Sequence, residues 1–335
     1  MRLKLIVAML TFTVGLLSLP AASAESSLKG AGSTFALNFV DRCRVLYGQQ
    51  TGGLINYTGN GSGAGRNFLN NSLVDFAISD APYSKSDNQP PREILYVPIV
   101  SGPIAIAYNL PEYKIRLKLT KEVLAKIFAG QITMWNHPEI QKINLGKLPK
   151  VRITVIYRMD GSGTSEVFTS YLNTIAPQIW NKSGHKDFKT AFPNTMSPYF
   201  QGVSGSTQVA FNQKMFKGSI SYNEVSYTKG LKTAAIENEA GKFTYPTPSA
   251  AATFLSKLSF NENGSAILNY KNLSSTSYNI STFAYAIAYK ESGDKAKDIR
   301  DFLTFALTKC NKIDGYSPIT GNALKVAKLQ IAKIK

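Results

Sequence analysis

The amino-acid sequence predicts an α/β fold built on a mostly parallel sheet, and three observations predict it. Short β-branched or aromatic runs alternate with amphipathic segments, the pattern of strands joined by crossover helices. Three times a strand-like run passes into a loop of small residues that opens a helix, at residues 30–35, 59–65 and 160–165. No unit recurs at a fixed period, which excludes a solenoid or repeat array.

In chain order, residues 1–24 read as a secretory signal. Basic Arg2 and Lys4 precede an apolar run over residues 5–19, and Ala22-Ser23-Ala24 stands before Glu25 as a small-residue cleavage site. The run falls short of the ~18 apolar residues of a membrane span, and no later stretch approaches that length. The mature protein is expected to be soluble and periplasmic after cleavage near Ala24, with extracellular release as the alternative. What remains of the 335 residues is enough for two domains at ~150 each.

A helix is expected over residues 35–47, with Phe39, Val40, Cys43, Leu46 and Tyr47 in one apolar stripe. Cys43 and Cys310 are the two cysteines, and neither has metal-like or redox-motif spacing. Cys43 reads either as a buried thiol of that stripe or as half of a bridge to Cys310 in an oxidising compartment. Strands follow at residues 54–57, 74–79, 104–108, 153–157 and 282–289. Helices follow at 121–129, ended by Gly130, and at 166–172. Trp135-Asn136-His137-Pro138 reads as a turn after a helix.

The 38 Lys and Arg against 21 Asp and Glu leave a formal net charge of +17, of which residues 1–24 hold only Arg2 and Lys4. Such a balance suits an anionic ligand, an anionic membrane face or nucleic acid. The lysines are spread through the chain, and the densest group, Lys325, Lys328, Lys333 and Lys335, lies in one short segment. This distribution reads as solvated faces and long-range steering, with no nucleic-acid partner.

Each of the three loops is a potential oxyanion socket. A helix start has backbone N–H groups without partners and the positive end of the helix dipole, and glycine lets an anion approach the backbone. One such loop is an ordinary cap. Three in one exported chain, with Arg158 two residues before the third and a guanidinium fork suited to phosphate oxygens, point to anion binding.

Other chemistry is poorly supported. Gly59-Asn60-Gly61-Ser62-Gly63-Ala64 fits the dinucleotide fingerprint after a strand, with Asp80 about 20 residues on, but export argues against nicotinamide chemistry. Gly161-Ser162-Gly163-Thr164 lacks the lysine of a nucleotide-phosphate loop. No serine loop has the spacing of a nucleophile elbow. His137 and His185 have no second ligand at metal spacing. Neither catalytic residue, metal nor cofactor is expected.

Longer motifs carry a resemblance. They are residues 30–35, Gly61 to Gly63, Val74-Asp75-Phe76-Ala77-Ile78-Ser79-Asp80-Ala81-Pro82, residues 126–135, and residues 158–164 running on to 168–172. In this order they closely resemble the periplasmic phosphate-binding protein of the phosphate ABC importer, the PstS family. The resemblance implies a two-lobed clamshell of the type II periplasmic-binding-protein fold. Residues 25–100 with 279–335 would form lobe I, and residues 101–278 lobe II. Inorganic phosphate would lie in the cleft, touched by Thr34, Phe35, Ser62 and Asp80 from the first lobe and by Arg158, Ser162, Gly163 and Thr164 from the second. Asp160 would orient Arg158, the only full positive charge expected in the cleft. The partners implied are phosphate and the membrane permease subunits of an ABC importer, with the chain itself a monomer. Both chain ends contribute to lobe I in the family, which places Cys43 and Cys310 together.

Two departures stand out. Ala36 follows Phe35 where the family usually has proline, and Gly202-Val203-Ser204-Gly205-Ser206-Thr207 differs from the family's glycine and acidic pattern. The alternatives are a carrier of another oxyanion, a phosphatase on the same scaffold, or a surface adhesion protein.

Overall fold

A computed structural model describes residues 27–310 and 313–335; the signal-peptide reading of residues 1–24 lies outside them. The chain opens with β1 (Ser27–Gly32), α1 (Leu37–Thr51), β2 (Leu54–Thr58), α2 (Ser62–Asn70) and β3 (Phe76–Ser79). β1 pairs in parallel with both β2 and β3. The stripe read on α1 is buried at Phe39, Val40, Cys43 and Tyr47, and the helix ends at Gly52 in the left-handed conformation, the usual glycine stop.

Next comes β4 (Ile94–Tyr108), fifteen residues of which all but the first are buried. Its near-continuous apolar sequence is that of a strand covered on both faces. Sequence reasoning expected only residues 104–108, and the rest of the strand holds Pro98 and Pro103. The structure tolerates both. Pro98 lies opposite a register shift between Ala284 and Tyr285, and Pro103 is the last residue paired with the returning strand before Ile104 takes up a different neighbour. A residue with no N–H to place fits where the ladder changes partner.

Beyond it run α3 (Lys121–Phe128), β5 (Thr154–Arg158), α4 (Gly163–Ile175), β6 (Phe200–Val203), α5 (Gly205–Met215), β7 (Ser219–Glu224) and β8 (Lys232–Thr233). The chain returns through β9 (Ser281–Tyr289), α6 (Ala296–Lys309) and α7 (Gly321–Ala332). The main sheet has the order β2-β1-β3-β9-β4-β7-β5-β6, with β8 on β4. Its two flanks are parallel, as expected. Its centre is antiparallel, because β4 carries the chain out of one lobe and β9 brings it back beside β4. Strands β1 to β3 and β9 with the first part of β4 form one lobe; β5 to β8 with the end of β4 form the other. Phe128, Phe168 and Tyr222 pack together in the second lobe, with the Phe168 ring centroid 4.7 Å from Phe128 and 4.6 Å from Tyr222.

Two local expectations resolve differently. His137 does not merely turn: its Nδ1 accepts the Glu139 N–H at 3.3 Å and caps the short helix Pro138–Lys142. Of the two readings of Cys43, the bridge holds. Cys43 on α1 and Cys310 at the end of α6 are disulfide-bonded, with Cα atoms 5.5 Å apart. No helix among the described residues is long and apolar enough to cross a membrane.

Glu224 closes β7 beside the partner switch of β4 and is fully buried. Its Oε1 accepts the Ser226 N–H at 2.9 Å and its Oε2 accepts the Ser226 hydroxyl, while Ser226 in turn accepts Asn38 Nδ2 of α1 at 2.9 Å. Burial pushes the carboxyl up to about 8, against the pull of the Ser226 bonds. Between the ordinary 4.5 and about 8 the folded state therefore holds a proton that the unfolded state has lost. Stability should fall as pH rises through that window. Glu224→Gln should flatten the fall, measured by urea denaturation at about pH 5 and about pH 8; an undiminished slope in the variant would place the titration elsewhere.

Candidate functional site

The three strand-to-helix junctions read in the sequence are real, and the structure adds a fourth. Gly32 leads into α1, Gly61 into α2, Ser162 into α4 and Ser204 into α5. The first pair belongs to one lobe and the second pair to the other, and their helix starts meet across the cleft. Ser33 Oγ accepts the Ala36 N–H at 3.1 Å and Ser162 Oγ accepts the Ser165 N–H at 3.1 Å. Both serines thus cap helix turns while standing at the lobe junction. The Gly63 N–H donates to Gly161 O at 2.8 Å from one lobe to the other. Gly163 lies so close to the opposite lobe that a Cβ there would come 2.7 Å from Ser62 Oγ and 2.9 Å from Asp80 N.

The expected site residues are brought together, and all are buried: Thr34, Phe35, Ser62, Asp80, Arg158, Ser162 and Thr164 are each 5% exposed or less. Asp80 follows the end of β3 and is only an acceptor when ionised. One of its oxygens accepts the Ser33 hydroxyl, and the other accepts Thr164 Oγ1 from the opposite lobe at 2.8 Å. Its own N–H lies 3.4 Å from Ser62 Oγ. Burial pushes the Asp80 carboxyl up, and the bonds from Ser33 and Thr164 and the charges of Arg158 and Arg66 restore only part of the shift.

Arg158 ends β5 with its guanidinium against Asp160. Nε donates to Oδ1 at 2.6 Å and Nη2 pairs with Oδ2. Burial works against the Arg158 charge, but Asp160 more than offsets it and raises the guanidinium above its ordinary value. Asp160 in turn is held below the usual carboxylate range, where Arg158 and the Gly205 N–H prevail over burial.

Three groups escaped the sequence reading. Arg66 of α2 is a second buried guanidinium at the lobe junction, so Arg158 is not the only buried positive charge there. Its Nη1 donates to Pro82 O at 2.6 Å and lies 3.3 Å from Asp87 Oδ2; its Nη2 donates to Glu166 Oε2 of the opposite lobe at 3.2 Å. Lys186 completes the cluster by pairing with Asp87 across the same gap. Arg66 and Lys186 hold Asp87 below its ordinary value although burial opposes them, whereas burial dominates at Glu166 and pushes it up despite Arg66. Unlike Arg158, Arg66 is taken up by two carboxylates. Ser33 and Ser206 are the other two, and the signal for Ser206 was the glycine and serine run at 204–206, which repeats the pattern of the other three junctions. Among the described residues no group of three or more His, Cys, Asp or Glu is placed to hold a metal ion.

Two lobes joined by antiparallel crossing strands, with helix starts facing across a buried polar junction, define the periplasmic-binding-protein class. A PBP superfamily domain matches residues 19–309. The Phosphate-binding protein PstS of Haemophilus influenzae is 32% identical over 325 residues, covering 93% of this chain and 94% of its own. PstS3 of Mycobacterium bovis is 37% identical over 226 residues, 65% of this chain and 59% of its own. The chain belongs to the PstS family of phosphate-binding proteins. Solved structures share the fold: a high affinity periplasmic phosphate-binding protein (PfluDING) bound with phosphate has a TM-score of 0.74 at 20% identity over 92% of each chain. A phosphate binding protein from Stenotrophomonas maltophilia has a TM-score of 0.67 at 19% identity, covering 91% of this chain and 93% of its own.

Proposed function

We propose that this chain is an exported receptor that encloses one inorganic phosphate between its lobes and hands it to the membrane permease subunits of an ABC importer. It works as a monomer in the periplasm, without nucleic acid, and carries out no chemical step. The lobes divide near residues 100 and 279; the change of β4 from β9 to β7 between Pro103 and Ile104 supports that division. The observation that carries the reading is the composition of the buried junction: Asp80 stands as an acceptor among hydroxyls, helix N-termini and the Arg158 guanidinium, while the second guanidinium, Arg66, is taken up by Asp87 and Glu166. The Phe35 and Gly163 N–H groups, the hydroxyls of Thr34, Ser62 and Ser162, and Arg158 donate to the anion; Asp80 accepts a ligand proton; Asp160 orients Arg158. The Thr164 hydroxyl, also expected to donate to the anion, is given to Asp80 at 2.8 Å and reaches the ligand only by exchanging that bond. Micromolar affinity needs about −8 kcal/mol. Charge-assisted bonds at roughly 1.5–3 kcal/mol each, less ordering costs, are enough for that.

Calorimetry of the dialysed mature protein against phosphate, sulfate and a phosphate ester is the test. Saturable binding of phosphate, with neither of the others, is expected; no heat with phosphate would overturn the reading. Arg158→Ala should weaken phosphate binding by about 2 kcal/mol, roughly 30-fold, because a charged hydrogen-bond partner is lost. An unchanged dissociation constant in the folded variant would remove Arg158 from the ligand set.

A further inference from the structure

Ser206 is fully buried in the first turn of α5. Three contacts hold it. Its backbone N–H donates to Thr34 Oγ1 at 3.1 Å, its hydroxyl lies 3.0 Å from the same Thr34 oxygen, and its carbonyl accepts Asn223 Nδ2 of β7 at 2.8 Å. Thr34 and Ser206 are 172 residues apart and come from different lobes. The approach depends on Gly205, whose φ of +77° a side chain would strain. That glycine also places its N–H 3.1 Å from Asp160 Oδ1, the oxygen that accepts Arg158 Nε.

Either oxygen of the Thr34–Ser206 pair could be the donor, and two neighbouring contacts favour donation by Ser206. Arg158 Nη1 faces Ser206 Oγ at 3.5 Å, a long approach, but a guanidinium can only donate. The Ser206 proton is therefore turned away from Arg158, and its near acceptor is Thr34 Oγ1. Thr34 Oγ1 already accepts the Ser206 N–H. With both lone pairs engaged, its own proton remains to be donated. In the direction these contacts favour, donation runs from Arg158 to Ser206 to Thr34 and outward. Thr34 becomes a committed donor on one side of the junction, while Asp80 is the acceptor on the other.

We propose that Ser206 is a positioning residue: it commits the Thr34 hydroxyl to donation toward the enclosed anion and clasps the two lobes in the closed arrangement. This inference rests on the phosphate reading above. It differs from a structural role, which would lower stability without acting through Thr34, and from direct contact of Ser206 with the ligand, which would be independent of Thr34.

A double-mutant cycle separates these. Phosphate affinity and dissociation rate are measured for the parent, Ser206→Ala, Thr34→Val and the double variant, together with the melting temperature of each without phosphate. Ser206→Ala is expected to weaken binding three- to tenfold, the scale of one neutral hydrogen bond, mainly through faster dissociation as the clasp is lost. In the Thr34→Val background the same change should cost less than about twofold, with the ligand-free melting temperatures of Ser206→Ala and the parent alike. Equal losses in both backgrounds, or no loss in either, would overturn the proposal while leaving phosphate binding intact. Absence of phosphate binding by the parent would instead sink the functional reading on which it stands.

Discussion

Asp80→Asn is expected to leave phosphate binding modestly changed and to make sulfate binding measurable, shrinking the ratio of the two dissociation constants by at least about tenfold. Phosphate near neutral pH keeps one or two protons and can donate to a carboxylate. Sulfate is fully ionised and would set its lone pairs against those of Asp80. An unpaired buried acceptor facing a like charge costs several kcal/mol, and a site built around a ligand proton can reject an analogue lacking it by ~10⁴-fold or more. The structure sharpens this. Each Asp80 oxygen already accepts one hydroxyl, from Ser33 or Thr164, and each keeps a lone pair for a ligand proton. Ser33 Oγ also accepts the Ala36 N–H, so its proton is directed at Asp80. In the asparagine variant the carbonyl can keep one hydroxyl while the amide N–H turns toward the anion, removing the repulsion and the missing partner together. Competition of labelled phosphate by sulfate at fixed ionic strength, from about pH 6 to about pH 8.5, is the measurement. A variant that excludes sulfate as strongly as the parent would move discrimination away from Asp80.

Breaking the bridge between Cys43 and Cys310 should lower stability by up to ~4–5 kcal/mol. The cysteines are 267 residues apart in sequence, so the cross-link removes a large share of the unfolded chain's freedom, and the chain-entropy model assigns loops of more than 100 residues this magnitude. The bridge ties the end of α6 to α1, where Tyr47 also packs edge-on to Phe302 and Phe305, with centroids 5.4 and 5.1 Å apart. Those contacts survive reduction, so the lobe should stay folded but melt at lower denaturant. The paired variant Cys43→Ser, Cys310→Ser should show a lower urea midpoint and a steeper transition, since a freer unfolded chain exposes more surface. Alkylation followed by intact mass measurement checks the premise: two alkylated thiols before reduction would refute the bridge.

The two predictions draw on different sources of information. The signals for Asp80 are local, because it sits at the end of a strand in a run that resembles its family closely. The bridge was one of two readings of the sequence, since a cysteine in an apolar helical stripe looks the same whether or not another cysteine faces it.

Composition, charge, the three glycine and serine junctions and most elements were legible in the sequence, because each is decided within a few residues. A cap needs its hydroxyl and the N–H three positions on, as at Ser162 and Ser165, and an amphipathic stripe repeats within two turns, as on α1. The length of β4 was hidden, because a proline has no N–H to give a strand ladder and only the register shift in β9 and the change of neighbour accommodate Pro98 and Pro103. The fourth junction carried a local signal in its glycine and serine run, but the cluster around Arg66 and the clasp at Ser206 belong to tertiary structure alone. Arg66 and Glu166 are 100 residues apart, Thr34 and Ser206 172. Their meeting is decided by how the lobes close, which no local propensity encodes: a buried charge or hydroxyl is stable only with its partner in place, and here the partner arrives from the other lobe.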